Sequence, residues 1–211
     1  MTKGMSSEEI SRRRKTRMIL VVMVILFSAP YIASFILYKY GDKFNLGSTN
    51  YGQLLGPRIP FQSVGFETLD GKKVDVDAYR GEWLILAIGS SKCDDTCKAN
   101  MFKMRQIRKL MGVDRAWIRR AYALTDAEDM EGLRDFMRDY EGTDLLRVTE
   151  QTRVNLVNQL KIDKNSLEGR MLFVDPAGDI ILLYPPNPDP KGVYGDLKKV
   201  YDVYKRATAQ G

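Results

Sequence analysis

The 211-residue chain contains no histidine, and this absence excludes more than any other feature of the composition. Ser-His-Asp triads, Cys-His nucleophile pairs, H-E-x-x-H zinc sites and ordinary haem ligation all require an imidazole. Cysteine is scarce too: Cys93 and Cys97 are the only two. The soluble part of the chain also lacks a basic excess. Of the net charge of +6, a surplus of four lies before residue 18, in Lys3, Arg12, Arg13, Arg14, Lys15 and Arg17 against Glu8 and Glu9. A nucleic-acid footprint needs a strongly basic face on the folded domain, so no nucleic-acid partner is expected. Scattered cations such as Arg115, Arg119 and Arg120 are read as solvated faces. There is no internal repeat and no low-complexity tract.

What is present begins with an uncharged run, Met18 to Tyr38, reading MILVVMVILFSAPYIASFILY. At 1.5 Å per residue such a run spans about 30 Å, the thickness of a hydrocarbon core. It exceeds the apolar stretch of a signal peptide, typically about 7 to 15 residues. The preceding RRRKTR is more basic than the following KYGDKF, so the positive-inside rule leaves the N-terminus in the cytoplasm and the remainder outside it. The expected organisation is a basic cytoplasmic segment (1–17), a transmembrane helix (18–38), a linker (39–62) and one domain (63–211). The expected location is the inner, cytoplasmic membrane, single-pass, with the domain in the periplasm or outside, where disulfides persist.

Gly, Asn, Ser and Pro without sustained periodicity mark 41–62 as linker. Phe66, Leu69, Val74 and Val76 around Asp70-Gly71 predict a short hairpin. Glu82 to Gly89, EWLILAIG, is a continuous apolar run, as for a central strand buried on both faces. A helix follows from the cysteine region to Gly112. Further strands are predicted over Trp117–Leu124, Leu145–Val148, Met171–Val174 and Ile180–Tyr184, the last two joined by the turn DPAGD. Helices are predicted over Glu128–Tyr140, Gln151–Leu160 and Gly195–Ala207. This alternation predicts an α/β, thioredoxin-like domain, a mixed sheet flanked by helices.

A C-x3-C pair where the central strand meets a helix is the informative constellation. Cys93 falls in the loop and Cys97 in the first helical turn, within reach of the roughly 5.5 Å Cα separation of a disulfide. The helix N-terminus, Lys92 and Lys98 favour a thiolate, while Asp94 and Asp95 oppose it and suit helix caps. The spacing alone admits a structural bridge, a pair of buried thiols or a working redox site. Cys93 is read as the more exposed, attacking sulfur and Cys97 as the resolving one. Soft thiolate and thioether ligands suit Cu(I), so Cys93 and Cys97, alone or with Met101, form a candidate Cu(I) site. Met101, Met104 and Met111 at helical spacing otherwise read as core.

Asp70-Gly71-Lys72 with Tyr79-Arg80-Gly81-Glu82-Trp83, Cys93-Asp94-Asp95-Thr96-Cys97, Thr125-Asp126-Ala127-Glu128, and Met171-Leu172-Phe173-Val174-Asp175-Pro176-Ala177-Gly178 together resemble the Sco/SenC family. These are thioredoxin-like copper and redox factors of cytochrome oxidase assembly, and the likeness covers most of the chain after Phe61. Two departures stand out: Ser166–Arg170 holds no counterpart of the family's copper-ligand histidine, and the family's prolines beside the cysteines are Asp94 and Lys98 here. The resemblance implies thiol-disulfide exchange in assembly of a haem-copper respiratory oxidase, with oxidase subunits or a copper or redox protein as partners. The other readings are a Cu(I) chaperone using the two thiolates, and a non-catalytic tethered binding domain with a structural disulfide.

Overall fold

A computed structural model describes residues 7–40, 50–163 and 166–208. The chain divides into two units, 1–48 and 49–211. The described residues of the first form one helix, α1 (Ser7–Tyr40), with Pro30 inside it. Within it Arg14–Phe35 is long and apolar enough to cross a membrane, with a mean hydropathy of 2.3. Its side chains from Met18 to Phe35 are exposed almost throughout.

The second unit runs β1 (Gln53–Pro60), α2 (Phe61–Val64), β2 (Glu67–Thr68), β3 (Trp83–Gly89), α3 (Asp95–Leu110), β4 (Ile118–Leu124), α4 (Met130–Met137), β5 (Thr143–Arg147), α5 (Glu150–Leu160), β6 (Met171–Val174), β7 (Asp179–Tyr184) and α6 (Pro190–Thr208). Seven strands form one mixed sheet in the order β1-β7-β6-β3-β4-β5-β2. β3, β4 and β5 are parallel, whereas β6 and β7 run antiparallel to their neighbours. This is the thioredoxin-like architecture expected from the alternating pattern.

β3 is buried along its whole length, and its period-2 alternation serves two cores. Trp83, Ile85 and Ala87 face a layer containing α3 and α6, with Met101, Met104, Ile107, Leu197 and Tyr201. Leu84, Leu86 and Ile88 face the opposite layer, with Phe61, Val64, Leu156 and Leu160 from α2 and α5. Burying a side chain of this size stabilises by about 2 kcal/mol relative to leaving it exposed, so the central strand is the best-anchored part of the sheet.

Several boundaries differ from the expectation. The segment read as linker contains β1, which pairs antiparallel with β7 from Gln53↔Leu183 to Pro60↔Asp179; residues 41–49 lie outside the described part. Gly56 and Pro57 conceal this strand in the sequence, yet an edge strand tolerates proline, and here the register shifts between Leu54 and Ile59. The hairpin around Asp70-Gly71 is reduced to one bridge, Glu67↔Lys73, with Val76 already in a 3-10 turn. The helix expected over 128–140 is α4 followed by a 3-10 turn, Arg138–Tyr140. α6 starts five residues early, because Asp189 accepts from the Gly192 N–H (3.1 Å) and Pro190 takes the first helical position, where its missing N–H costs nothing. The cations read as solvated separate: Arg115 is exposed, Arg119 is half-buried with Glu82 and Asp144, and Arg120 is buried at 6% exposure.

Candidate functional site

β3 delivers Gly89 to the C-terminal edge of the sheet, where the chain turns through Ser90, Ser91 and Lys92 into α3. The Cys93 N–H donates to Ser90 O (3.2 Å). Asp94 then caps α3, its carboxylate accepting from the Cys97 N–H at 2.8 Å, which satisfies one of the donors a helix N-terminus leaves open. Cys93 and Cys97 are joined as a disulfide with Cα atoms 5.0 Å apart.

Cys93 is not the exposed sulfur bearer its loop position suggested. Cys93 is 4% and Cys97 5% exposed, and both pack in the core cluster that holds Met101 and Tyr122. Cys93 adopts the left-handed conformation, φ +44°, which is sterically costly for a residue with a Cβ and folds the loop back over the core.

Neighbouring loops brace this turn. The Ser91 N–H donates to Asp126 Oδ1 (3.0 Å), the Ser91 hydroxyl donates to the same oxygen, and the Asp129 N–H donates to Ser91 Oγ (2.9 Å). Burial pushes the Asp126 carboxyl up, but hydrogen bonds from Ser91, Ser90 and the Glu128 N–H outweigh it and lower it to about 2. Asp126 is therefore an ionised tether at neutral pH. Lys92 pairs with Glu128 at 2.5 Å, and that carboxylate raises the ammonium's pKa. The Tyr122 hydroxyl donates to Ser90 O (2.9 Å). Burial, then Asp94, Glu168 and Asp126, push its pKa up, so it stays a neutral donor.

On the other side, Gly169 sits with φ +76° against the first turn of α3. A Cβ there would meet Thr96 Cγ2 at 3.0 Å and Pro186 Cβ at 3.2 Å. Its carbonyl accepts from Asn100 Nδ2 (2.8 Å), and its N–H donates to Ile88 O (2.8 Å). Glu168 is an exposed carboxylate that accepts from the Thr125 hydroxyl (2.7 Å). Sequence reasoning passed over Ser91, Asn100 and Tyr122; only Asn100, three residues after Cys97 on the same helical face, carried a usable signal.

The donor set limits what metal the site could hold. Among the described residues no group of three or more His, Cys, Asp and Glu side chains could hold a metal ion. Met101 and Met104 are fully buried in the core, and the two sulfurs are bonded to each other. The residues fit Cu(I) only after reduction, through two thiolates.

Sheet, helix layers and a disulfide at the end of the central strand define a thioredoxin-like domain, carried by a chain with one apolar helix that could span a membrane. The family model described as transmembrane-like, thioredoxin-like, C-terminal domain matches residues 83–203, and the chain belongs to this family. Among curated proteins none matches. Apo Sco1 from Thermus thermophilus is 15% identical, with a TM-score of 0.54 over 74% of this chain and 99% of that one. Copper-bound yeast Sco1 is 15% identical, with a TM-score of 0.51 over 74% and 95%. BsSco, described as a member of the Sco family of cytochrome c oxidase assembly proteins and as having a disulfide switch, is 18% identical, with a TM-score of 0.50 over 69% and 96%. These likenesses establish a shared fold.

Proposed function

We propose that this protein is a membrane-anchored, extracytoplasmic thiol-disulfide exchange factor acting in assembly of a haem-copper respiratory oxidase. The observation that carries the reading is the Cys93–Cys97 disulfide, placed where the central strand meets the N-terminus of α3. A helix N-terminus favours the thiolate that exchange must expel or employ. The apolar helix and the basic cluster before it support anchoring with the domain outside the cytoplasm. The oxidase connection rests on the resemblance and on the described role of BsSco, whose fold the domain shares.

In the reduced form the Cys93 thiolate attacks a partner disulfide, forming a mixed disulfide and expelling one partner thiolate. The Cys97 thiolate then attacks Cys93 Sγ, closing the bridge and releasing the second partner thiolate; two electrons pass to the partner. The reverse sequence oxidises a partner dithiol. With no imidazole in the chain, proton transfer falls to solvent and to the partner. The test is replacement of the native chain by a C93S variant. Defective oxidase assembly with a changed redox state of the substrate thiols is expected, and normal assembly overturns the proposal. Titrating the reduced chain with Cu(I) against a chelator, beside a double-serine variant, tests the two-thiolate copper reading.

Burial of both half-cystines favours one alternative, a structural bridge in a tethered binding domain. A reduction potential below about −300 mV would select it, since such bonds resist reduction by thiol pools.

A further inference from the structure

Away from the disulfide, cations converge that exchange chemistry does not use. Arg105, Arg108 and Lys109 on α3, Arg120 on β4 and Arg138 after α4 line an open cavity of about 270 Å³ with Asp139, Tyr140 and Glu141. Backbone carbonyls orient the guanidinium groups: Arg105 Nη1 donates to Asp139 O (3.2 Å), Arg108 Nε to Ile118 O (2.9 Å) and Arg120 Nη2 to Glu141 O (2.5 Å). The Tyr140 ring, its centroid 4.8 Å from Arg105 Cζ, supports that group from its face. A carbonyl fixes a guanidinium without neutralising it. Among the described residues, ion pairs of arginine and lysine with carboxylates do not include Arg105, Arg108, Lys109 or Arg120, while Arg138 is held by Asp135.

Two donors have no partner. Nε of Arg105 and Nε of Arg120 are buried without a hydrogen bond, and Arg120 as a whole is 6% exposed. Leaving donors of a charged group buried and unpaired is costly, and native structures pair nearly all such atoms. Burial, then the like charges of Arg108 and Arg105, weaken the hold of Arg120 on its proton. An arrangement that gathers uncompensated guanidinium forks around a cavity is suited to an anion with several acceptor oxygens.

We infer that this cavity binds a phosphoryl group, whose oxygens accept from the unused N–H donors of Arg105, Arg108 and Arg120 while Lys109 adds charge. The group belongs either to a soluble phosphate compound or to a lipid headgroup, which present the same oxyanion.

The test is calorimetric titration of pyrophosphate into the full chain in phosphatidylcholine nanodiscs at about 150 mM chloride, a level that screens weak surface attraction. Each charge-assisted hydrogen bond lost should weaken binding about tenfold or more, so R105Q/R108Q should bind at least tenfold more weakly than wild type while still unfolding cooperatively, at a melting temperature lowered by the lost bonds to the Asp139 and Ile118 carbonyls. The exposed-site variant K109Q, which leaves packing intact, should bind about threefold more weakly. In nanodiscs containing phosphatidylglycerol, a fall in apparent pyrophosphate affinity assigns the site to headgroups, and an unchanged affinity assigns it to a soluble compound. Absence of binding to wild type, or equal binding by the variants, overturns the inference.

Discussion

The left-handed backbone at Cys93 makes a quantitative prediction about how the bridge and the fold share their stability. Cys93 holds φ +44°, a conformation that costs a residue with a Cβ roughly 1 kcal/mol or somewhat more, and glycine nothing comparable. The bond closes a loop over a sequence separation of 4, for which the chain-entropy relation gives about 2 kcal/mol of stabilisation. Cys93→Ala therefore loses the bridge and keeps the backbone penalty, whereas Cys93→Gly loses the bridge and sheds the penalty. A domain of this size shifts by about 3 °C per kcal/mol. The full chain in non-ionic detergent should melt about 6 °C lower as C93A than as oxidised wild type, with C93G recovering about half of that loss. Wild type under reductant should fall near C93A. Thermal unfolding followed by near-ultraviolet circular dichroism reads these differences. If C93A is as stable as C93G, the left-handed turn is imposed by the bridge alone, and the loop does not carry the strain assigned to it.

Three further outcomes follow from hydrogen bonds that shape the unit. Asp126→Asn should lower stability by about 1–2 kcal/mol, a figure reduced for partial solvent exposure. Because the folded-state carboxyl is lowered from 3.8 to about 2, its stabilising contribution is complete above the unfolded value and is lost as pH falls toward 2; the difference between wild type and D126N in denaturant titrations should therefore shrink between pH 4 and pH 2. Asp196, 1% exposed, accepts from the N–H groups of Tyr51 (2.9 Å) and Gly52 (2.7 Å), so Asp196→Ala should cost about 3 kcal/mol by orphaning buried donors and should raise hydrogen exchange at residues 51–52 first. Tyr122→Phe removes the bond to Ser90 O (2.9 Å) and should cost about 1 kcal/mol in chemical denaturation while accelerating reduction of the Cys93–Cys97 bond by a small thiol.

The parts of the fold that the sequence exposes are those whose environment is symmetric or local. β3 was readable because both its faces are buried, which leaves an uninterrupted apolar run. The β6–β7 pair was readable because its turn residues, Pro176 to Gly178, act locally: the Asp175 carboxylate accepts from the Ala177 N–H (3.0 Å) and the Asp179 N–H (2.9 Å). β1 was hidden because an edge strand with one half-solvated face needs neither continuous apolarity nor freedom from proline. Arg120 and Asp196 were hidden for another reason. A charged residue on a strand or helix defaults to solvent, and only distant chain, Glu141 over Arg120 and Tyr51 over Asp196, buries these two. Spacing and position placed Cys93 and Cys97 within reach of a disulfide but left a pair of buried thiols open, which the bond between them decides; the inward turn of Cys93 depends on a φ value that cysteine does not announce.

That inward turn is compatible with the exchange proposed above, because the two sides of the bridge are unequally held. Releasing Cys97 means unwinding the first turn of α3, with the loss of the Asp94 cap on the Cys97 N–H and of the backbone bond from the Lys98 N–H to Asp94 O at 2.9 Å; a cap is worth about 1 kcal/mol and a net helical hydrogen bond about the same. Releasing Cys93 breaks its N–H contact with Ser90 O and strains the Lys92–Glu128 pair, whose side chains are 65% and 61% exposed and which solvent therefore screens heavily. It also lets φ at Cys93 relax, returning roughly 1 kcal/mol. Ser91 stays where Asp126 and Asp129 hold it, and Asp94 stays as the cap of α3, so the opening is confined to Lys92 and Cys93. The lower-cost excursion brings out Cys93 and leaves Cys97 seated at the helix terminus, where a thiolate is best stabilised. For the exchange proposed above, attack at or by Cys93, with Cys97 as the leaving or resolving thiolate, is the assignment that the local energetics favour even with both sulfurs buried at rest.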